Sequence, residues 1–216
     1  MLEVSNLNVS IQSTSILRDV SLTIEDHTMV GLVGRNGAGK TTLMKSIMGL
    51  LKAESGRMSF NGTNLLDTPV HERIHLGIGY MPEDRRLIPD LTVKENLLLP
   101  AWAGNNSQGE ARLDYIFKLI PELVEFGPRR GTQLSGGQQK MVALGRALMT
   151  GTKLLLLDEP FEGVAPALAQ RLVEVISKLK SEGMTVIFSE SDLQHSVHMV
   201  QKIFTMDRGE LREKIL

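Results

Sequence analysis

The period of apolar and polar positions changes several times along the chain, and the changes divide it. Near the start, positions 7–11 and 17–24 alternate, with Val20, Leu22 and Ile24 on one side. A period of two predicts strands with one buried face. Positions 28–33 form a short apolar run ending at Gly34, and 43–51 read as a helix. Positions 57–60 predict a further strand stopped by the Asn61-Gly62 turn, and 78–81 another closed by Pro82. From 84 to 132 the texture differs: Pro89, Pro100, Pro121 and Pro128 punctuate helical pieces such as 110–120. This reads as an inserted helical subdomain. Strand and helix then alternate again, with helices at 136–149 and 167–181 and strands at 154–157 and 185–189. Leu154 to Leu157 are four consecutive leucines. Such uninterrupted apolar strands belong to parallel sheets buried on both faces. Positions 202–206 and 210–211, on either side of Arg208-Gly209, predict a closing hairpin. The expected fold class is α/β, with one domain over 1–216 and helical material at about 84–150.

Composition narrows the function. The chain has 216 residues, 42% of them hydrophobic, enough for one substantial core. Its formal net charge of −1 supplies no basic field for nucleic acid. With no cysteine, disulfides and thiolate metal sites are excluded, and a reducing cytosol suits the chain. Met1-Leu2-Glu3-Val4 opens no basic-then-apolar run, so no signal peptide is expected. No stretch approaches the ~20 apolar residues of a membrane span. If the protein serves a membrane process, its membrane contact is expected to come through a partner.

Three motifs carry chemistry. Gly34-Arg35-Asn36-Gly37-Ala38-Gly39-Lys40-Thr41, followed by Thr42, completes the pattern G-x-x-x-x-G-K-[ST] between a predicted strand and helix. Glycines let backbone N–H groups wrap phosphate, and the helix adds its positive end. Lys40 is expected on the β- and γ-phosphates and the Thr41 hydroxyl on Mg²⁺. The pattern alone leaves kinases, GTPases and many ATPases open. Second, the leucine run delivers Asp158-Glu159-Pro160 to the mouth of the sheet. Asp158 is expected to hold Mg²⁺ and Glu159 to polarise the attacking water as general base. Third, Leu134-Ser135-Gly136-Gly137-Gln138-Gln139 lies 24 residues (158 − 134) before Asp158. Ser135 and Gln138 form a capping box, sufficient by itself to start a helix. Two glycines cost helix stability that a simple cap need not forgo, so a second, anion-binding role is expected.

These motifs, over about residues 2–211, resemble the ATP-binding subunits of ABC transporters. The resemblance implies a P-loop NTPase core with an antiparallel β subdomain and the helical subdomain. It implies a head-to-tail dimer in which Ser135, Gly136, Gly137 and Gln138 of one chain cover ATP held by the other. It also implies permease subunits as partners, with an extracytoplasmic solute-binding protein engaged indirectly. The strings 81–86, 91–97, 145–149 and 161–166 resemble the ATPases of branched-chain amino-acid importers. Urea-type importers and lipopolysaccharide-export ATPases share parts of them. Soluble ABC ATPases of DNA repair or translation carry long insertions or fused domains for which this chain is too short. A non-hydrolysing nucleotide sensor is the other alternative. The chain ends sooner after its hairpin than many relatives, so a shortened C-terminus is an expectation.

Three positions depart from the general ABC pattern. Glu83 stands where Gln is usual, as in the importers resembled, and is expected near Mg²⁺ and water. The adenine-stacking aromatic falls at about Ile11, which implies weaker, less base-selective ATP binding. The switch histidine is Ser191, which implies slow hydrolysis with a hydroxyl as donor; His195 lies one helical turn too far to replace it. Trp102, the only tryptophan, is expected to pack within the helical subdomain or else to meet the membrane partner, rather than to bind ligand. Arg85-Arg86 and Arg129-Arg130 read as solvated surface, the former near the groove where the resemblance puts the permease. His195 and His198 lack an evident third metal ligand.

Overall fold

A computed structural model of the chain describes residues 1–104, 107–192 and 196–214. The alternating start becomes an antiparallel pair, β1 (Leu2–Ile11) and β2 (Thr14–Ile24). Gln12 and Ser13 join them with φ of 48° and 67°, the left-handed turn that matches strand twist. β1 starts at Leu2 rather than at 7 because its register slips between Val4 and Leu7 and again by Val9, which hides the period of two. β3 (Met29–Val33) belongs to a second sheet, while β4 (Ser55–Phe60) and the short β5 (Thr63–Asn64) complete the first in the order β2-β1-β4-β5.

The second sheet joins β3 to β6 (Ile78–Met81), β7 (Leu154–Leu157), β8 (Thr185–Glu190), β9 (Lys202–Asp207) and β10 (Glu210–Lys214). Its order is β10-β9-β3-β8-β7-β6, parallel except for the β9–β10 hairpin. Both faces are covered, which explains the leucine run. Leu154 and Leu156 enter a core shared with the first sheet and α1 (Lys40–Met48). Leu155 and Leu157 enter a second core built with the helices. α1 stops before the anticipated position 51 because Gly49 takes φ 82°, a left-handed C-terminal stop. Arg73, on the unanticipated α2 (Val70–Arg73), fastens this end of the fold. Its buried guanidinium donates to the carbonyls of Ser46 (2.9 Å), Ile47 (2.6 Å), Thr68 (3.0 Å) and Leu65.

Between β6 and β7 lie α3 (Val93–Ala103), α4 (Gly109–Leu119), α5 (Glu122–Phe126) and α6 (Gly136–Thr150); α7 (Pro166–Ser181) links β7 to β8. Thr92 and Glu95 start α3 with a reciprocal capping box. Val93, Leu97, Leu98 and Ala101 bury one side of α3, and Trp102 turns away from it, 53% exposed. The expectation that Trp102 packs internally is therefore corrected: its position is one step off the apolar stripe. The surface reading of Arg85-Arg86 is also corrected in part. Both take positive φ, 61° and 49°. Their carbonyls accept from the Arg146 guanidinium, and Arg85 Nη1 donates to Gln139 at 3.2 Å. His195 lies outside the described residues, and among those described no cluster of three or more His, Cys, Asp or Glu could hold a metal. No described helix is long and apolar enough to cross a membrane.

Candidate nucleotide site

The site forms where β3, β7 and β8 end side by side. The loop after β3 turns into α1 at Gly39, whose φ of 116° excludes most other residues. A Cβ there would also meet Leu17 Cδ2 at 2.9 Å. The lysine that follows is 5% exposed. Lys40 Nζ donates to the carbonyls of Gly34 and Arg35 and lies 3.0 Å from Glu159 Oε1. A cleft of about 340 Å³ opens over the loop, lined by Ile16, Asn36, Gly37, Gly39, Lys40, Thr41, Thr42, Glu83 and Glu159. Gly34 and Ala38 shape the loop without lining it. Gly34 lies where a Cβ would meet the Met206 carbonyl at 2.3 Å, and the Ala38 methyl is buried in the core.

The leucine run places two carboxylates differently. Asp158 is fully buried and accepts three hydrogen bonds: from Thr41 Oγ1 at 3.1 Å, Ser189 Oγ at 2.7 Å and Tyr80 OH at 3.2 Å. Burial and this carboxylate push the Tyr80 phenol above its usual range, so it stays a donor. Glu159 follows with φ 47°, a conformation rare for a side chain of its size. Its N–H donates to Ser189 Oγ at 3.0 Å. Burial raises the Glu159 carboxyl above the usual carboxylate range, and Lys40 opposes the shift. A base with a raised pKa holds a proton from water better than an ordinary carboxylate. The hydroxyl of Thr41 against the carboxylate of Asp158 is a hard-oxygen donor set of the kind Mg²⁺ takes.

Ser191 reaches the loop: its Oγ donates to Asn36 Oδ1 at 3.2 Å. Beside it Glu190 is buried, and burial, with the Glu159 and Asp192 charges, pushes its carboxyl up to about 7. Ser135–Gln138 do not line this cleft. They start α6, with Gln138 N donating to Ser135 Oγ at 3.3 Å and Ser135 N to Gln138 Oε1 at 2.9 Å. Gly137 has an internal reason to be glycine, since a Cβ would lie 2.5 Å from Leu168 Cδ2. At Gly136 a Cβ would meet only the Arg85 guanidinium, at 3.3 Å. Ile11 stands 40% exposed and outside the cleft, whereas Ile16 lines it. Tyr80, Ser189 and Ile16 escaped sequence reasoning because each reaches the site across neighbouring strands.

Comparison with known proteins gives the same direction. The ABC transporter family model matches residues 17–162. The high-affinity branched-chain amino acid transport ATP-binding protein BraG of Pseudomonas aeruginosa is 36% identical over 195 residues, 90% of this chain and 84% of that protein. The lipopolysaccharide export system ATP-binding protein LptB of Haemophilus influenzae is 32% identical over 213 residues, 98% of this chain and 88% of that protein. A solved dimeric structure of a post-hydrolysis state of an ATP-binding cassette, bound to ADP and Pi, superposes with a TM-score of 0.88 at 26% identity. It covers 99% of this chain and 98% of its own. The matched region takes in the phosphate loop, the capped start of α6 and the Asp158-Glu159 pair together, and the chain accordingly belongs to the ABC transporter family, as an ATP-binding, ATP-hydrolysing subunit.

Proposed function

We propose that the chain powers import of branched-chain amino acids, working on the cytoplasmic face of the membrane through permease subunits and beside a second ATPase subunit. The observation that carries the hydrolytic part is Glu159, buried, raised in pKa and 3.0 Å from the phosphate-loop lysine. Lys40 contacts the β- and γ-phosphates, and backbone N–H groups of Asn36, Gly37 and Gly39 wrap them, in a loop shaped by Gly34 and Ala38. Thr42 completes the loop's start of α1. Thr41 and Asp158, with Glu83 nearby, hold Mg²⁺. The cation supplies charge neutralisation on the phosphates. Glu159 takes a proton from the attacking water, and Ser191 donates to the γ-phosphate. Ser135, Gly136, Gly137 and Gln138 of the second chain cover the nucleotide; residues 84–150 act as the subdomain that brings them there.

The similarity to BraG supports the amino-acid reading. The similarity to LptB, over more of the chain at lower identity, keeps lipid export as the second reading. Proteoliposomes carrying the chain with its permease and solute-binding protein test both. Mg-ATP inside should drive leucine uptake; active ATP turnover with no uptake of any branched-chain amino acid contradicts the import reading.

Ser191→His is expected to raise turnover, because an imidazole reaches farther than a hydroxyl towards transferring phosphate. One preorganised donor is worth ~10²–10³ in rate, so a gain of about 10-fold or more is expected in a phosphate-release assay. Unchanged or lower turnover contradicts the role given to position 191.

A further inference from the structure

Lys140 lies in α6, five residues past Ser135 (140 − 135), and is 2% exposed. A lysine is rarely so deeply buried without a job for its charge. Its three N–H donors meet three backbone carbonyls of one short segment: Glu159 O at 2.7 Å, Pro160 O at 3.3 Å and Glu162 O. The Glu159 carbonyl also accepts from Glu162 N at 3.3 Å. These contacts close a turn around the residue that sits at φ 47°. Left-handed backbone of this kind costs of order 1–3 kcal/mol and persists only where surroundings enforce it. On its other side Ser189 Oγ takes the Glu159 N–H. The peptide units flanking the Glu159 Cα are therefore fixed from both directions, by β8 and by α6. Burial and the neighbouring Arg85 charge lower the Lys140 ammonium to about 8, partly offset by Glu162, Glu159 and Glu83. The fold thus retains a lysine at a site that disfavours its charge.

We propose that Lys140 is a positioning residue for hydrolysis: it holds the 159–162 turn against α6 and so aims the Glu159 carboxylate at the attacking water. The inference rests on the ATPase assignment and on Glu159 as base. It goes beyond both, because Lys140 lines no part of the nucleotide cleft. In the proposed dimer one helix then serves two sites. Its start covers the partner's ATP, and its Lys140 steadies the base of its own.

The test compares Lys140→Met, Lys140→Gln and Lys140→Arg with the wild-type chain, each first checked for a cooperative thermal transition. A displacement of about 1 Å can cost ~10²-fold in rate. Lys140→Met should lower kcat by about 10- to 100-fold with KM for ATP within about 2-fold. Lys140→Gln keeps two N–H donors and should recover part of the loss. In the nucleotide-free proteins, amide hydrogen exchange at Phe161, Glu162 and Gly163 should be faster in Lys140→Met than in wild type. If Met is not tolerated, the Gln and Arg variants carry the same comparison. A folded variant with unchanged exchange at these amides, or with faster exchange and unchanged kcat, overturns the proposal. A wild-type chain without ATPase activity would contradict the hydrolytic reading instead, and exchange would still decide what Lys140 holds.

Discussion

Glu159→Gln should abolish most ATP turnover while leaving ATP bound. Gln has the shape of Glu, so the turn around it and the Ser189 hydrogen bond to its N–H remain. What disappears is a group able to take a proton from water, worth ~10²–10⁴ in rate. The substitution also removes a buried negative charge that faces the triphosphate cleft, and with it repulsion of the nucleotide. Affinity for ATP should hold or rise. The fold should tolerate the change, because Lys40 keeps the Gly34 and Arg35 carbonyls as acceptors and the amide oxygen of Gln can still accept from it. Phosphate release and equilibrium nucleotide binding measure the two halves. Turnover within about 3-fold of wild type would remove Glu159 from its role as base.

Lys40→Met is expected to act at the preceding step. A charged donor contributes ~1.5–3 kcal/mol per hydrogen bond, and the proposed role gives Lys40 two such bonds, to the β- and γ-phosphates. The dissociation constant for ATP should therefore rise by about 10²–10⁴-fold. A second consequence follows from the 3.0 Å ion pair with Glu159. Without Lys40 nothing opposes the burial that raises the Glu159 carboxyl, and it takes up a proton more readily. Removing one partner of a buried pair costs ~3–5 kcal/mol when the other stays charged. The loss of stability in Lys40→Met should thus shrink when Glu159→Gln is added, and thermal unfolding of the single and double variants reads this directly. Equal destabilisation in both would show that the pair does not matter for the fold.

How much of this was legible in the sequence depends on distance along the chain. The phosphate loop, the Asp158-Glu159 pair and the capped start of α6 are each contiguous, and local spacing sufficed to place them on strand, loop and helix. The buried strands were visible because parallel sheets covered on both faces have no polar side. The hairpin formed by β9 and β10 was equally local. Other features needed the fold. Tyr80 and Ser189 reach Asp158 from the strands on either side of β7. Ile16 rather than Ile11 lines the cleft over the loop. Lys140 left a trace that could have been read: it heads a buried stripe through Leu144, Ala147 and Leu148, where helical spacing would otherwise ask for an apolar residue. Trp102 and Gly137 show the opposite failure. For Trp102 the residue type suggested packing, and its place off the apolar stripe of α3 leaves it exposed; for Gly137, Leu168 adds a packing reason for glycine that the sequence does not show.

In the proposed dimer the triphosphate is gripped by one chain around Lys40 and covered by another chain at Ser135. The native sequence has no cysteine, so introduced thiols report without background. Asn36→Cys and Ser135→Cys, placed together in a Glu159→Gln chain, should form a disulfide-linked dimer on mild oxidation with Mg-ATP and remain uncrosslinked without nucleotide. A chain that binds ATP yet gives no ATP-dependent crosslink, and keeps the mass of a single subunit, would contradict the account.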